Sequence, residues 1–496
     1  MDEYSWSLGA KTSGVYEMSV SSGRRRAKRT RKASEEAIFP QRSRDRGTAT
    51  IYDMIRNDPV VAWGFGKYLD YGTVQYFASR TGDFKFDDEL EEAFGNWSKA
   101  RNCDVARRNS FDNMIRLYGA GITLDGDSML LKITGGKLQG IESDRIRSTG
   151  DGKQIPDSVE GVIIDPSTNA ATGYLLFNRG PGGRNYVFDR ILNPDHLIFD
   201  GNFMRFDQVR GIPLIAPAVT TFEDAKETNE YQRIKAKNHA LLAVAVMSQQ
   251  GSGMNYNSFS LTDPPTTETA DEDLAAPGLY SLEEATKLEL AQNDKMDLIE
   301  SHTPSTEYQT FNDTMIRQGL LTFGMAFSFY DSSKANYSSM KQDRAEFKFF
   351  IQRFMRKCLD ARYEVTDWVL PQIVSDYGLK WSGSGKIRYE WLPQAEPWLD
   401  ENNETDAAIT RIERGLSSEE MEARRRGMDA YDILRQKKRS QEYIRRSGVV
   451  IVAAGSGSQL FNSNKLNAAQ TESAAPPEAS DTTNQDNAET GGNNVE

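Results

Sequence analysis

Two segments with helical patterns are joined by the stretch Tyr330-Asp331-Ser332-Ser333-Lys334-Ala335-Asn336-Tyr337-Ser338-Ser339. The stretch is polar, and none of its residues form an obvious catalytic arrangement. We therefore interpret it as a connection at which two helices meet. Its position defines where each of these helices ends or begins. One helix is predicted before it over 306–325 and a longer one after it over 339–370.

The longer helix has an aromatic stripe. Phe347, Phe350, Phe354 and Cys358 recur at spacings of three and four residues, which places them on one helix face. Such a stripe is typical of core packing, and Cys358 is expected to be a buried small apolar residue. Pro371 is predicted to end the helix, because proline removes a backbone hydrogen bond.

Composition limits the class of protein. A chain of 496 residues has room for two to four domains. No stretch approaches the ~18 apolar residues of a membrane span, and the first residues resemble no signal peptide. Two cysteines exclude a disulfide framework and fit a reducing cytoplasm. The net charge of −12 argues against a wide basic face that grips duplex DNA, but not against a wall that DNA slides past.

The first 50 residues are predicted to be a flexible, basic arm. Residues 24–32 hold seven basic residues, including Arg24, Arg25 and Arg26. This run is either a solvated, disordered charge run or a contact for nucleic acid or an acidic partner, and the sequence does not separate the two. Helical patterns follow over 51–80, interrupted at Asp58-Pro59, and over 87–118, with Phe94, Trp97 and Leu117 as core anchors.

Short apolar runs separated by turns predict strands between residues 129 and 199. Gly135-Gly136 lies between two of these runs and indicates a hairpin. A small antiparallel sheet or barrel is expected, not a doubly wound nucleotide fold. A long helix is predicted over 217–247, and residues 251–277 have a loop composition.

The last part of the chain is more highly charged and ends in an acidic tail. A strand is predicted over 387–391, and residues 401–447 are helical and charged, with a break at Gly415 and the run Arg424-Arg425-Arg426. Val449 to Ala453 is a further strand or packing segment. Residues 466–496 contain six acidic residues and no basic one, and we expect this tail to be disordered.

None of the sequence motifs for nucleotide or metal binding is complete. Gly383-Ser384-Gly385-Lys386 resembles a phosphate loop, but Lys380 stands where glycine is required and Ile387 where serine or threonine is required. Gly119-Ala120-Gly121 lacks the third glycine of a dinucleotide site. Three scattered histidines and two cysteines argue against a structural zinc site. No catalytic residue, cofactor or metal site is predicted, and we expect a structural protein.

Several stretches together resemble the portal proteins of tailed bacteriophages, lambda family. The stretch 331–339 is similar to the family's D-x-S-x-x-N-Y-S-S signature. Other stretches resemble further motifs of the family and follow the family's order; they are Arg42–Asp45, Ile55–Pro59, Leu138–Ile146, Gln208–Leu214 and Ile412–Ser418. Asp58 departs from the family's asparagine.

The resemblance implies an α+β portal fold and a ring of twelve subunits. Its regions are a β-rich wing over 51–216, stem helices over 217–250 and 306–325, a clip over 251–305, a tunnel loop over 326–338, a long wing helix and strand over 339–400, a helical crown over 401–464, and the tail over 465–496.

The resemblance also implies a function. The ring would be the conduit for double-stranded DNA at one capsid vertex, assembled in the host cytoplasm. Ser332, Ser333, Lys334, Asn336 and Tyr337 would face the DNA, with Lys334 as the strong phosphate contact. The clip would dock the terminase large subunit and the head–tail connector protein, and the wing would meet the major capsid protein and scaffold. Arg424, Arg425 and Arg426 would touch packaged DNA.

Two alternatives stay open. One is another virion or ring-scaffold protein without a DNA channel, which oligomeric state and shape would distinguish. The other is an ATP-driven nucleic-acid enzyme, which the failed phosphate loop disfavours. An ATPase assay with DNA present would separate it from the structural proteins.

Overall fold

A computed structural model describes residues 33–149, 155–183, 185–241, 244–247, 295–298, 306–333, 335–381, 383, 385–394 and 401–447. The chain divides into two compact units, Met1–Pro397 and Trp398–Glu496. Each unit is treated by itself.

The first unit contains helices that, apart from the short first one, pack on one large apolar core. These helices are α1 (Glu35–Ile38), α2 (Gln41–Asn57), α3 (Pro59–Thr73), α4 (Phe84–Trp97), α5 (Ala100–Cys103), α6 (Phe111–Leu124), α7 (Val219–Leu241), α8 (Thr306–Leu320) and α9 (Tyr337–Asp376). Phe94 and Trp97 are buried, as predicted, whereas Leu117 is half exposed and the prediction for it was wrong.

The N-terminal boundary needs a correction. The arm was expected to be extended to residue 50, but α1 and α2 make residues 35–38 and 41–50 helical. The polar composition was misleading because Arg44, in the first turns of α2, is buried with hydrogen-bond partners. The break predicted at Asp58-Pro59 is confirmed. The Asp58 carboxylate accepts hydrogen bonds from the amides of Val60 and Val61 and caps α3.

The strands form antiparallel pairs and two small sheets. They are β1 (Gln75–Ser79), β2 (Asp127–Ile133), β3 (Lys137–Ile141), β4 (Ser158–Val159), β5 (Val162–Ile164), β6 (Ala171–Arg179), β7 (Tyr186–Leu192), β8 (Leu197–Gly201), β9 (Val244–Met247), β10 (Lys295–Leu298) and β11 (Tyr389–Pro393). One sheet has the order β3-β2-β8 and the other β4-β5-β6-β7, while β1 pairs with β11 and β9 with β10. A second apolar core lies between the two sheets.

The hairpin predicted at Gly135-Gly136 joins β2 to β3. Ile133 pairs with Lys137, so the loop has three residues, one more than the two-residue turn that the glycine pair indicated. Both glycines have positive φ, 88° and 69°, a conformation that side chains disfavour.

Helix α9 is longer than the sequence indicated. It spans 40 residues, begins at Tyr337 and continues past Pro371, so the prediction that Pro371 ends it was wrong. Leu370 and Ile373 on either side of the proline are buried in the core. Their burial outweighs the cost of about 3 kcal/mol that an interior proline imposes.

Helices α7 and α8 run antiparallel. Asn229 donates to Asn312 at 3.1 Å, and Phe222 packs so closely on Gly319 that a Cβ there would lie 2.3 Å from the ring. The helix predicted to reach Met247 ends at Leu241, because residues 244–247 pair as β9 with β10. The predicted loop 251–277 lies outside the described residues.

The second unit is described over 401–447. It contains α10 (Glu401–Glu413), α11 (Glu419–Arg425) and α12 (Ala430–Ser447). Gly415 breaks the helix as predicted, with φ of 70°, and Gly427 makes a second break that the sequence interpretation missed. The predicted segment 449–453 and the tail 465–496 lie outside the described residues.

Candidate functional site

The candidate site is the connection between α8 and α9. After α8 a 3₁₀ turn over Leu321–Phe323 ends at Gly324, which has φ of 67°. Gly324 is also covered by Phe350, because a Cβ at this position would lie 2.3 Å from the ring. Both the backbone conformation and the close approach therefore require glycine here. Phe350 is 43% exposed, whereas Phe347, Phe354 and Cys358 of the same stripe are buried in the core.

The first part of the loop is fixed to the first unit. Tyr330 packs edge-on against Trp63, with ring centroids 6.1 Å apart, and it also contacts Phe327. The Ser328 hydroxyl donates a hydrogen bond to the Asp343 carboxylate on α9. The loop is therefore held by helices α3 and α9.

The tip of the loop is polar and exposed. Ser332, Ser333, Asn336 and Tyr337 all face solvent in the single chain. That they line a DNA channel stays a prediction. Lys334 lies outside the described residues. The amide of Ser333 donates to the Asp331 carboxylate at 2.9 Å, which forms a turn at the tip.

Asn336 has a structural task that the sequence interpretation missed. Its side-chain oxygen accepts a hydrogen bond from the amide of Ser339 at 2.8 Å, and it is the N-cap of α9. Asparagine directly before a helical pattern was the available signal. The N-Y-S-S part of the signature is thus explained in part by helix initiation.

Of the two basic runs predicted as contacts, the structure describes only the second. Arg24, Arg25 and Arg26 lie outside the described residues. Arg424 pairs with Glu420 at 3.1 Å and Arg425 with Glu422 at 2.9 Å, both within the second unit. DNA contact by Arg424, Arg425 and Arg426 stays a prediction.

Glu422 joins α10 to α11. The Arg411 guanidinium donates to both carboxylate oxygens at 3.0 Å. These hydrogen bonds, together with the charges of Arg411 and Arg425, lower the pKa of the Glu422 carboxyl to about 2. Glu422 is therefore ionised throughout the neutral range, and Arg425 lies beside a fixed negative charge.

A buried ionic cluster lies away from the loop. The guanidinium of Arg210 is fully buried and contacts both oxygens of Asp127 at 2.8 and 3.0 Å. Its remaining donors reach the carbonyls of Ile146 and Glu160 and both oxygens of Ser143. Burial alone would raise the pKa of Asp127, but the Arg210 charge and hydrogen bonds outweigh it, and this pKa is lowered.

Arg44 connects helix α2 to this cluster. Its guanidinium donates to the carbonyl of Gly211 at 2.6 Å, and the next residue, Asp45, pairs with Arg147 at 2.6 Å. Burial and the Arg210 charge lower the pKa of Arg44 to about 10. Three of the stretches on which the family resemblance rests, 42–45, 138–146 and 208–214, therefore meet in one buried cluster. Their shared task is to hold α2 against the two sheets.

Other chemistry is limited in the described ranges. Cys358 is fully buried in the core, which confirms the prediction that it is a buried apolar residue. This burial raises the pKa of its thiol to about 12. Lys386, from the failed phosphate loop, pairs with Asp367 at 2.7 Å. Within residues 33–447, as far as they are described, no group of acidic, histidine or cysteine side chains could hold a metal ion. None of the helices described is long and apolar enough to cross a membrane.

These observations define a mixed helix-and-sheet protein whose candidate site is a polar loop between helices. Residues 22–354 match the family described as phage portal protein, lambda family. The chain belongs to this family of phage portal proteins.

A curated relative and solved structures resemble the chain. The probable portal protein of Halomonas phage phiHAP-1 is 25% identical over 392 residues, which cover 73% of this chain and 71% of the relative. One solved structure is the neck of an empty gene transfer agent (GTA) particle, computed with C6 symmetry. Its matching chain has a TM-score of 0.48 and 13% sequence identity, and the match covers 77% of this chain and 93% of that one. A chain from the neck of a native GTA particle, computed with C12 symmetry, has a TM-score of 0.46, 14% identity and the same coverage.

Proposed function

We propose that this chain is the subunit of a ring-shaped conduit through which double-stranded DNA enters and leaves a phage capsid. The observation that carries the proposal, beside family membership, is the loop between α8 and α9. Its base is fixed by Tyr330 and Ser328, and its tip presents Ser332, Ser333, Asn336 and Tyr337 to solvent. Polar groups of low net charge make brief contacts with phosphate without retaining it.

Exposed apolar side chains on the two stem helices support a ring. Tyr231 on α7 is 62% exposed, and Phe311 on α8 is 53% exposed. Large apolar groups at these positions are stabilised if neighbouring subunits cover them. A head-to-tail interface closes into a ring when the rotation between subunits divides the circle evenly, and a dodecamer is the state we propose.

Partners are assigned by region. The clip, residues 251–305, is the proposed docking site for the terminase large subunit during packaging and for the head–tail connector protein afterwards. The wing, 51–216, is proposed to meet the major capsid protein and scaffold. The assembled ring would occupy one vertex of the virion after assembly in the host cytoplasm.

Electron microscopy of the purified protein, with averaging of end-on views, tests the ring. We expect a closed ring of about twelve subunits with a central channel wide enough for duplex DNA. A closed assembly without a channel would contradict the proposal and favour a virion or scaffold protein of another kind.

Lys334 is proposed as the strong phosphate contact of the loop. The variant Lys334→Ala should retain DNA less well after packaging, measured as nuclease-protected DNA per particle. Lys85→Ala, which removes an exposed lysine from α4, is the matched control. Unchanged packaging and retention in Lys334→Ala particles would refute this role and leave the ring proposal intact.

A further inference from the structure

Helix α12 carries an unbalanced positive charge. Its 18 residues include six basic side chains and two acidic ones. Arg435 pairs with Asp432 at 3.4 Å. The other five basic side chains are exposed, and none makes an ion pair within the described part of the chain; they are Lys437, Lys438, Arg439, Arg445 and Arg446.

The sequence that follows α12 has the opposite charge. Residues 466–496 contain six carboxylates and no basic residue, so these carboxylates have no partner within their own segment. They are Glu472, Glu478, Asp481, Asp486, Glu489 and Glu496. The acidic segment and the basic helix belong to the same unit of the chain.

The connection between them is long enough for contact. Helix α12 ends at Ser447, and the first carboxylate of the segment belongs to Glu472. At a maximum of about 3.3–3.6 Å per residue, these 25 positions reach up to roughly 80–90 Å. The helix is only about 27 Å long at 1.5 Å per residue. Every exposed basic side chain of α12 is therefore within reach of the segment.

We propose that the acidic segment, residues 466–496, binds the basic face of α12 in the same chain and excludes nucleic-acid phosphates from it. Covalent connection gives the segment a local concentration in the millimolar range, which favours it over a free polyanion of similar affinity. The contact is electrostatic, so salt above about 0.15 M weakens it. The proposal does not depend on the ring or on the DNA conduit.

A zero-length carbodiimide cross-linker tests the contact in the full chain, because it couples a carboxylate only to an amine in direct contact. We expect cross-links from the segment to Lys437 and Lys438, lost in about 0.5 M NaCl. In the double variant Lys437→Arg with Lys438→Arg, the charge is retained but the amines are gone, so these cross-links should disappear. Cross-links from the segment mainly to Lys28 and Lys32 of the N-terminal run, or to no lysine, would overturn the proposal.

Competition with DNA tests the consequence. In one variant the six carboxylates of the segment are changed to amides, Glu to Gln and Asp to Asn. Its affinity for a duplex of about twenty base pairs should rise several-fold at about 50 mM NaCl and less at about 200 mM. Adding Lys437→Gln, Lys438→Gln and Arg439→Gln should remove this gain.

A matched control separates a local effect from total charge. It combines the same six amides with Lys226→Gln, Lys235→Gln and Lys237→Gln, which neutralise three exposed lysines of α7. This control should keep the gain in DNA affinity. The proposal would be overturned if the gain in DNA affinity remained after the three substitutions in α12. It would also be overturned if the substitutions in α12 and those in α7 reduced the gain equally.

Discussion

At the scale of single residues, Arg210 is expected to contribute more to stability than any surface charge. Its guanidinium is buried against Asp127, and both groups are fully hydrogen-bonded. In Arg210→Met the Asp127 carboxylate stays buried without its partner, and we expect unfolding to require about 3–5 kcal/mol less. Urea unfolding of the first unit at neutral pH measures this loss.

The control at this scale is Arg116→Met, which breaks an exposed pair with Asp70 at 3.3 Å. Its loss should stay below about 1 kcal/mol, because solvent screens exposed pairs. Equal losses in the two variants would show that the buried cluster adds nothing beyond an ordinary ion pair.

The sequence motifs contained Arg44 and Arg210 of this cluster but not Asp127, and they did not indicate that these residues meet. Arg44 and Arg210 were visible as members of separate motifs, yet Arg44 and its acceptor Gly211 are 167 positions apart. Periodicity and spacing carry no information about such contacts, and arginine is rarely buried. The tip of the α8–α9 loop was easier, since exposed polar residues in a connection require no tertiary information.

At the scale of elements, the crossing of α3, α6 and α9 depends on glycine. The Phe354 ring of α9 fits against Gly72 of α3 and Gly119 of α6, and a Cβ at Gly72 would lie 2.3 Å from that ring. Gly72→Ala should therefore destabilise the first unit by on the order of 1–2 kcal/mol despite the higher helix propensity of alanine. Thermal unfolding measures the change, and Phe354→Leu should restore part of the loss.

Gly66 provides the matched control on the same helix. A Cβ at Gly66 meets nothing within 4 Å, so Gly66→Ala should stabilise by about 0.5–1 kcal/mol. If both alanine variants were stabilising, the close approach of Phe354 to α3 would be wrong.

Helices were predicted well where apolar periodicity was strong, and their ends less well. The aromatic stripe correctly indicated α9, but Pro371 did not end it because the neighbouring residues are buried in the core. The signal at the proline was local, whereas the burial that overrides it comes from distant parts of the chain.

At the scale of the whole molecule, long-range pairing was the part that the sequence could not supply. Residues 75–79 were included in a helix, but they form β1 and pair with β11 at the other end of the first unit, where Phe77 lies opposite Trp391. A segment of five residues is too short for its apolar periodicity to distinguish a helix from a strand. The partner strand decides, and only the fold brings it near.

The charge of the whole chain leads to the last prediction, which rests on the proposed ring. Each subunit carries a net charge of −12, so closing a ring brings many like charges together. The screening length falls from about 30 Å at 0.01 M salt to about 8 Å at 0.15 M. Raising NaCl across this range should therefore shift subunits toward the closed ring, measured by sedimentation velocity at fixed protein concentration. Sucrose at matched density and viscosity is the control for non-ionic effects. Dissociation of rings by the same salt increase would instead mean that ion pairs between subunits, and not the apolar faces of α7 and α8, dominate the interface.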